Sequence, residues 1–354
     1  MRILIATDAW FPQVNGVVRT LTALTFELRR RGHEIIEITP EGRSSLPLPF
    51  YTEISLTRVT AREIGRQIDA ARPEAIHIVT EGPIGWAARK ACLRRGLPFT
   101  TAFHTRFAEY AAARLPVPGV KPLGWWILRR FHAPGRAVMV PTQRIADELS
   151  SRGFRNVKVW TRGVDRSLFR PRGETTLDYP RPILLYAGRL AVEKGIEDFL
   201  RLDLPGTKLL VGDGPERAVL EPRYPDAVFL GYRRNGSYAS ILAAADVLVF
   251  PSRTDTFGLV MLEAMASGTP VAAYDVPSPC DVIEHGVTGF LDRDLGRAIA
   301  GALTLDRAAV VKGSGRFSWT RTADMFENWL APIATDPATR PGAVRDRPRQ
   351  ADSR

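Results

Sequence analysis

Short apolar runs with little polar alternation recur through the first half of the chain, and helical patterns separate them. Runs of this kind are typical of strands that are buried on both faces, as in parallel sheets. They are found at residues 2–7, 34–39, 75–79, 99–102 and 137–140, with helical patterns at 17–31, 85–95 and 142–152. This alternation of strand and helix predicts a doubly wound α/β sheet.

The same pattern starts again after a stretch rich in proline, glycine and charge, VDRSLFRPRGETTLDYPRP. Apolar runs follow at residues 183–187, 208–211, 227–230, 247–250 and 271–273. A chain of 354 residues exceeds the size of a single hydrophobic core, so we expect two Rossmann-like units. The predicted parts are an N-terminal unit 1–165, a linker 166–182, a second unit 183–317, an amphipathic helix 318–332 and a disordered tail 335–354.

Charge and cysteine usage narrow the classes of partner and compartment. With 49 Lys plus Arg against 38 Asp plus Glu, the net charge of +11 favours an anionic partner, such as a nucleotide phosphate, an anionic lipid surface or nucleic acid. The two cysteines have no metal-site or disulfide spacing, which favours a reducing, cytoplasmic compartment. No window approaches about eighteen uninterrupted apolar residues and the first residues lack the features of a signal peptide, so we expect neither a membrane span nor a leader.

Candidate binding residues follow the predicted strands, where the ligands of doubly wound sheets bind. The loop after the first strand holds Asn15 and Gly16 just before a helix, where free N–H groups can meet a phosphate. His104 follows the fourth strand, and GRLAVEKG places Arg189 and Lys194 on a strand-to-helix turn of the second unit. Two cations on one such turn can clamp a diphosphate. Taken singly, these residues also suit a plain turn, a structural histidine and a solvated charge pair.

The stretch FPSRTDTFGLVMLEAMASGTP combines a strand end, two carboxylates and a helix start. Asp255 and Glu263 are the carboxylates, and Gly258 between them lets backbone come close to a ligand. A chain turn at Asp255 and a surface position for Glu263 would account for the same residues without a ligand. The clustering of all these loops at the carboxyl edges of the predicted sheets favours a binding cleft.

Two further segments leave alternatives open. AAARLPVPGVKPLGWWILRRFHAPGR interleaves Trp125, Trp126 and Phe131 with arginines, which suits either a lipid headgroup interface or a helix packed in the core. Asp292 and Asp294 have a spacing that can hold a divalent cation, but acidic residues also favour a helix start, and we expect no metal there.

In their order along the chain, FPQVNGV, FHTRF, TRGVD, GRLAVEKG, VGDGP and TDTFGLVMLEAMASGTP resemble the motifs of the retaining, nucleotide-sugar-dependent glycosyltransferases of family 4. The resemblance extends from Arg2 to about Leu330. It implies the α/β fold called GT-B, in which two Rossmann-like domains face each other across a cleft and the final helix crosses back to the N-terminal domain. It also implies that neither a metal ion nor a cofactor is needed, since the nucleotide sugar is a substrate.

The resemblance implies a role for each matching position. Arg189 and Lys194 would hold the donor diphosphate and stabilise the leaving nucleotide, and Glu263 would bind the ribose hydroxyls. Asp255 stands where many members have Glu, so its carboxylate reaches one methylene less far towards the sugar. His104 would hydrogen-bond the transferred sugar, and with Arg189, Lys194 and Asp255 it makes up the implied catalytic set. The other implied donor-binding positions are Asn15, Gly16, Gly188, Gly212, Tyr232, Phe257, Gly258 and Leu259.

The implied reaction is transfer of a hexosyl group from a nucleotide sugar to an acceptor hydroxyl with retention, which gives an α-linkage. A UDP-sugar is the favoured donor, with GDP-mannose as the other. The opening FPQVNGVVRTL is most similar to enzymes that glycosylate membrane lipids such as diacylglycerol, and to mannosyltransferases acting on glycolipids. We therefore expect a peripheral enzyme at the inner face of an anionic membrane.

Two competing hypotheses remain. One is a transferase with a soluble or polysaccharide-precursor acceptor, and the other is a non-catalytic protein that binds nucleotide or nucleic acid. The cations of the predicted cleft lie on loops beside carboxylates and do not form a basic stripe with interleaved aromatic residues. We therefore expect no nucleic-acid partner.

Overall fold

A computed structural model describes residues 1–13, 15–48, 51–114, 117–173 and 177–334 of the chain. The predicted tail, residues 335–354, lies outside the described residues. Within these ranges, no helix combines the length and the apolar character needed to cross a bilayer.

The N-terminal half contains a six-stranded parallel sheet with helices around it. The strands of this half are β1 (Arg2–Ala6), β2 (Glu34–Ile38), β3 (Ser45–Leu48), β4 (Tyr51–Thr57), β5 (Ala75–Ile78), β6 (Thr100–Ala102), β7 (Val138–Val140) and β8 (Val157–Val159). The helices are α1 (Gly16–Arg30), α2 (Ala61–Ala71), α3 (Pro83–Arg95), α4 (Phe107–Arg114), α5 (Val120–His132) and α6 (Gln143–Ser151). The sheet order is β2-β1-β5-β6-β7-β8, and β3 and β4 form a separate antiparallel hairpin.

The C-terminal half repeats this plan. Its strands are β9 (Ile183–Ala187), β10 (Thr207–Val211), β11 (Val228–Gly231), β12 (Val247–Phe250), β13 (Val271–Tyr274) and β14 (Gly289–Asp292), paired in parallel in the order β11-β10-β9-β12-β13-β14. Its helices are α7 (Ile196–Leu200), α8 (Arg217–Arg223), α9 (Asn235–Ala244), α10 (Leu259–Ala266), α11 (Pro277–Val282), α12 (Leu295–Ala302), α13 (Arg307–Gly313) and α14 (Trp319–Trp329), with 3₁₀ turns at Val192–Lys194 and Ser314–Arg316. The two parallel sheets confirm the predicted α/β fold with two doubly wound units.

Each sheet reverses its strand order next to its first strand. In the N-terminal sheet, β1 has β2 on one side and β5 on the other, and in the C-terminal sheet β9 lies between β10 and β12. The loops that follow such neighbouring strands lead to opposite faces of the sheet and leave a crevice between them. The fold therefore provides a crevice beyond β1 and β5, and a second one beyond β9 and β12.

The last helix, α14, packs on the N-terminal half. Phe326 on this helix is fully buried, in one cluster with the β1 residues Ile3 and Ile5. The indole Nε1 of Trp160 donates to the carbonyl oxygen of Thr322 at 3.0 Å. Where the chain leaves the N-terminal half, a Cβ added to Gly163 would lie only 2.3 Å from the backbone nitrogen of Trp319, at the start of α14. The outgoing and returning segments of the chain are thus in backbone contact.

Polar contacts also join the two halves across their interface. Arg19 of α1 forms an ion pair with Glu263 of α10. The Thr256 hydroxyl donates to the carbonyl oxygen of His104 at 2.7 Å. The backbone nitrogen of Arg144 donates to Asp281 Oδ2 at 2.8 Å. The loops of the two sheets therefore face each other over a narrow space.

Phe326→Ala tests whether α14 is part of the N-terminal core. The ring packs edge-on against His77, with centroids 4.9 Å apart, so its removal leaves a cavity. We expect a loss of about 3–5 kcal/mol in the free energy of unfolding, measured by urea denaturation. The control is Phe26→Ala on α1, whose side chain is 69% exposed and whose loss should cost less than about 0.5 kcal/mol. Equal costs for the two variants would contradict this packing.

Candidate active site

The crevice beyond β9 and β12 brings together two loops that lie far apart in sequence. The loop after β9 continues into the turn Val192–Lys194, and the loop after β12 leads to the start of α10. Lys194 and Asp255, one from each loop, form an ion pair. The Thr254 hydroxyl donates to the carbonyl oxygen of Glu193 at 3.1 Å, which ties the same two loops together. Two predicted site residues thus meet directly.

Arg189 lies on the same loop as Lys194, and a buried tyrosine holds its backbone. The Tyr186 hydroxyl, at the end of β9, donates to the carbonyl oxygen of Arg189 at 2.7 Å. Burial raises the pKa of Tyr186 well above its ordinary value, with the charge of Asp255 as the next cause, so this hydroxyl stays protonated and remains a donor. The position of the predicted cation clamp is therefore fixed by the strand from which it emerges.

Glu263 is buried and accepts two partners, neither of which the sequence analysis identified. The Tyr238 hydroxyl of α9 donates to its Oε2 at 2.9 Å, and the Arg19 guanidinium pairs with its Oε1. Arg19 lies three residues after Gly16, so it lies near the start of α1, close to the predicted phosphate loop. The spacing of Arg19 from Gly16 could have predicted that Arg19 lies near the site, whereas nothing in the local sequence predicts a site position for Tyr238.

His104 lies where the two halves meet. Its carbonyl oxygen accepts from Thr256, which directly follows Asp255 in the chain. Its ring nitrogen Nδ1 lies 3.2 Å from Nη2 of Arg162, the arginine of TRGVD, for which the sequence analysis predicted no role. The loop TDT thus contacts the cation turn through Thr254 and Asp255 and the N-terminal half through Thr256.

Gly258 and Gly212 allow close approach of backbone at the site. Gly258 has φ +85°, and a Cβ there would lie 2.7 Å from Cζ of Phe250. A Cβ on Gly212, at the end of β10, would lie 1.8 Å from the carbonyl oxygen of Gly188. L-residues rarely adopt such φ values and neither site has room for a side chain, so both turns require glycine.

The N-terminal loop differs in detail from the expectation of free N–H groups. The Asn15 side chain caps α1, with Oδ1 accepting from the backbone nitrogens of Val17 and Val18 at 3.0 Å each. Two of the first helical N–H groups are therefore occupied, and a phosphate would have to compete with the asparagine side chain for them. A Cβ added to Gly16 would meet no atom of the described residues within 4 Å.

The remaining predicted residues occupy varied environments. The Phe257 side chain is buried in the core, and its carbonyl oxygen accepts from the Ser278 hydroxyl at 2.8 Å. Leu259 is the first residue of α10 and is partly buried. Tyr232 is exposed, with the guanidinium of Arg234 at 5.0 Å from its ring centroid.

The acidic pair near β14 has a local structural role. Asp292 Oδ1 accepts from the backbone nitrogen of Asp294 at 2.8 Å, and Asp294 Oδ1 accepts from that of Arg297 at 3.1 Å. Asp294 is the N-cap of α12. These contacts agree with the interpretation that the two carboxylates favour a helix start.

Family models and solved structures match nearly all of this architecture. The model described as Glycosyltransferase Family 4 matches residues 14–168, and the one described as Glycosyl transferases group 1 matches residues 181–304. A structure of Anabaena HepE with UDP and glucose superposes with a TM-score of 0.66 at 18% identity, covering 93% of this chain and 98% of that one. Sucrose-phosphate synthase from Thermosynechococcus elongatus gives a TM-score of 0.69 at 20% identity, covering 92% and 97%. The fold is GT-B.

Curated relatives match over most of their length. The GDP-mannose-dependent alpha-mannosyltransferase of Mycobacterium tuberculosis is 30% identical, over 82% of this chain and 83% of the relative. The alpha-monoglucosyldiacylglycerol synthase of Streptococcus pneumoniae is 27% identical, over 86% and 78%. The chain therefore belongs to glycosyltransferase family 4, and it is an enzyme that transfers a glycosyl group.

Gly258→Ala tests the backbone requirement at the start of α10. We expect a loss of about 1–3 kcal/mol in stability from strain and contact with Phe250, together with weaker binding of UDP and GDP. Gly286→Ala is the matched control, because Gly286 has φ +78° but a Cβ there meets nothing within 4 Å in the part of the chain that the structure describes. Thermal unfolding and calorimetric titration with each nucleotide measure the two effects. If Gly286→Ala were as damaging as Gly258→Ala, backbone strain alone would explain the result.

Proposed function

We propose that this enzyme moves a hexosyl group from a nucleoside-diphosphate sugar to a lipid hydroxyl, with retention of configuration. The observation that carries the proposal is the convergence of the loop bearing Arg189 and Lys194 with the loop bearing Asp255, at the reversal of strand order. A diphosphate at this crevice would meet two cations, and the sugar attached to it would meet the TDTFG loop. A UDP-sugar is the favoured donor, and the GDP-mannose-dependent relatives make GDP-mannose the second donor to test.

Glu263 suits a ribose because its carboxylate presents two acceptor oxygens. Its two carboxylate oxygens now accept from Tyr238 and pair with Arg19. A ribose presents two vicinal hydroxyls, which can donate to the same pair of oxygens. When a ribose takes the place of Arg19, that guanidinium becomes available to the phosphates, so donor binding exchanges one charge pair for another.

The proposed chemistry places the proton transfer on the donor itself. Retention by double displacement needs a nucleophilic carboxylate at the anomeric carbon, and the sequence offers no obvious candidate for that role. In a front-face displacement, the acceptor oxygen forms the new bond to the anomeric carbon as the bond to the phosphate oxygen breaks. The acceptor hydroxyl proton passes to that phosphate oxygen. Arg189 and Lys194 would stabilise the negative charge on the leaving diphosphate, a role that metal ions fill in other transferases.

Arg189→Ala and Lys194→Ala test the clamp directly. We expect each to lower kcat about 10²- to 10³-fold with the accepted donor, because each removes a charge that stabilises the leaving group. Turnover is measured with a panel of UDP- and GDP-sugars in EDTA, and the anomer of the product is read by NMR. The control is Lys312→Ala on α13, an exposed lysine that should leave kcat/KM within about twofold. Full activity of the Lys194 variant would overturn the clamp, activity lost in EDTA would overturn metal independence, and a β-linked product would overturn retention.

The two faces of α5 support a lipid acceptor. Trp125, Leu128 and Phe131 are buried, in agreement with the core alternative for this segment. The opposite face exposes Leu123 (56%), Trp126 (49%) and Ile127 (39%). The segment thus combines the two alternatives, since one stripe is core and the other leaves large apolar side chains in water.

Basic residues surround the exposed stripe. Leu123, Trp126, Ile127 and Arg130 have the spacing i, i+3, i+4 and i+7 of a single helix face. A cavity of about 440 Å³ beside this face is lined by Trp126, Arg129, Arg130 and Arg155 among others. Apolar side chains with flanking arginines suit the boundary between headgroups and acyl chains of an anionic membrane. We therefore place the enzyme at the inner face of the cytoplasmic membrane, with a lipid such as diacylglycerol as acceptor.

Liposome sedimentation with and without anionic lipid tests this surface. Trp126→Ala should weaken binding about tenfold through lost apolar burial, and Arg130→Ala about fivefold through lost attraction to anionic headgroups. Phe26→Ala is the control, because Phe26 is also an exposed aromatic residue but lies on α1. Equal effects of Trp126→Ala and Phe26→Ala would contradict the assignment of the surface. Turnover with soluble acceptors and none with diacylglycerol would favour the soluble-acceptor hypothesis.

A further inference from the structure

Arg162 is a buried guanidinium that no carboxylate contacts among the described residues. Its side chain belongs to the interior, with 3% of the residue exposed. Nη1 donates to the carbonyl oxygens of Trp160 at 2.5 Å and Thr161 at 3.3 Å, and the guanidinium carbon lies 4.2 Å from the Trp160 ring centroid. Burial lowers the pKa of Arg162 to about 9, so it still carries its charge at neutral pH. A charge held at such a cost in solvation is expected to have a use beyond packing.

The contact of Arg162 with His104 fixes the proton on the imidazole. A guanidinium has only hydrogen-bond donors, so the His104 Nδ1 that lies 3.2 Å from Nη2 must accept. In a neutral ring with an accepting Nδ1, the proton is on Nε2. A second proton on Nδ1 would point at the N–H groups of a cation, so the arrangement also opposes protonation of the ring.

The other groups around His104 act in the same direction. Burial lowers the pKa of His104 well below its ordinary value, and the charge of Arg162 is the next cause. Among the described residues, His77 and His132 are the other titratable groups that act on this ring. His77 is itself held neutral, because burial lowers its pKa to about 3. The carboxylate of Glu81 lies 3.1 Å from Nε2 of His132, so it is engaged by that ring. His104 therefore stays neutral through the physiological range.

The Nε2–H of His104 is a donor in need of an acceptor. This nitrogen is buried and has no hydrogen-bond partner among the residues that the structure describes. The carbonyl oxygen of the same residue is bound by Thr256, next to Asp255 on the loop proposed to meet the transferred sugar. An unpaired buried donor is destabilising, and a ligand oxygen at that point would remove this cost.

We propose that Arg162 is a positioning residue: it holds His104 as the Nε2–H tautomer, so that the ring donates a hydrogen bond to a hydroxyl oxygen of the transferred sugar and does not act as a base. The identity of that acceptor group rests on the proposed function. The state of the imidazole does not, because it follows from the contacts of Arg162 alone.

Histidine NMR tests the tautomer without any substrate. The full chain has five histidines, so ¹⁵N-histidine labelling gives five rings, and His104→Gln assigns the one of interest. We expect His104 as a single Nε2–H tautomer with no protonation from about pH 6 to pH 8. In Arg162→Met the ring should become a mixture of tautomers, whereas Arg162→Gln, which keeps an N–H donor, should restore the Nε2–H form. An Nδ1–H ring in the unaltered chain, or no change in a folded Arg162→Met, would overturn the proposal.

A double-mutant comparison separates positioning from structural support. Arg162→Met should lower kcat about tenfold with little change in the KM for the donor, and Arg162→Gln should recover most of the loss. In His104→Gln the amide offers an N–H donor near the position of Nε2 and has no tautomers. In the His104→Gln background, Arg162→Met should lower kcat less than about twofold. An equal loss in kcat in both backgrounds would show that Arg162 supports the fold and does not position His104, which would overturn the proposal. No turnover of the unaltered chain on any donor would overturn the proposed function, and the NMR result would still test the tautomer.

Discussion

The adjacency of β9 and β12 is the constraint on which the site depends. The chain builds β10 and β11 on one side of β9 before it crosses to β12 on the other, so the loops after β9 and β12 diverge around one crevice. Parallel pairing then sets how far each loop extends, because β12 is in register with β9 at Leu248 and Leu185. Lys194 and Asp255 meet as a result of this arrangement, although 61 positions separate them in the chain.

Local patterns predicted most of the framework but few of the contacts within it. Non-alternating apolar runs located β1, β5, β9 and β12 to within a residue or two, because strands buried on both faces have no polar side to disguise them. The hairpin of β3 and β4, and helix α2, were not predicted. The two strands of the hairpin pair with each other and Pro47 lies inside one of them, so the hairpin lacks the continuous apolar signal of the sheet.

The partners of the site residues depend on tertiary structure. Arg19 and Glu263 are 244 positions apart, and no local spacing relates them. Arg162 lies within the motif TRGVD, but the role proposed for it depends on its contact with the His104 ring, which the motif does not reveal. Asn15 was expected to leave N–H groups free and instead caps them, which a reading of helix-capping preference would have anticipated. The sequence of helix α5 suits either a core position or a lipid interface, and in the structure one face is buried and the other exposes large apolar side chains.

Because α14 belongs to the core of the N-terminal half, the chain passes between the two halves twice, and the two passages touch at Gly163 and Trp319. Two connections that meet at one place tie the halves together there, because separating them would pull α14 out of the N-terminal core. At the cleft, the halves meet through the ion pair at Glu263 and the hydrogen bond at the carbonyl of His104. Opening the cleft to a donor would therefore exchange polar contacts and leave the apolar core intact.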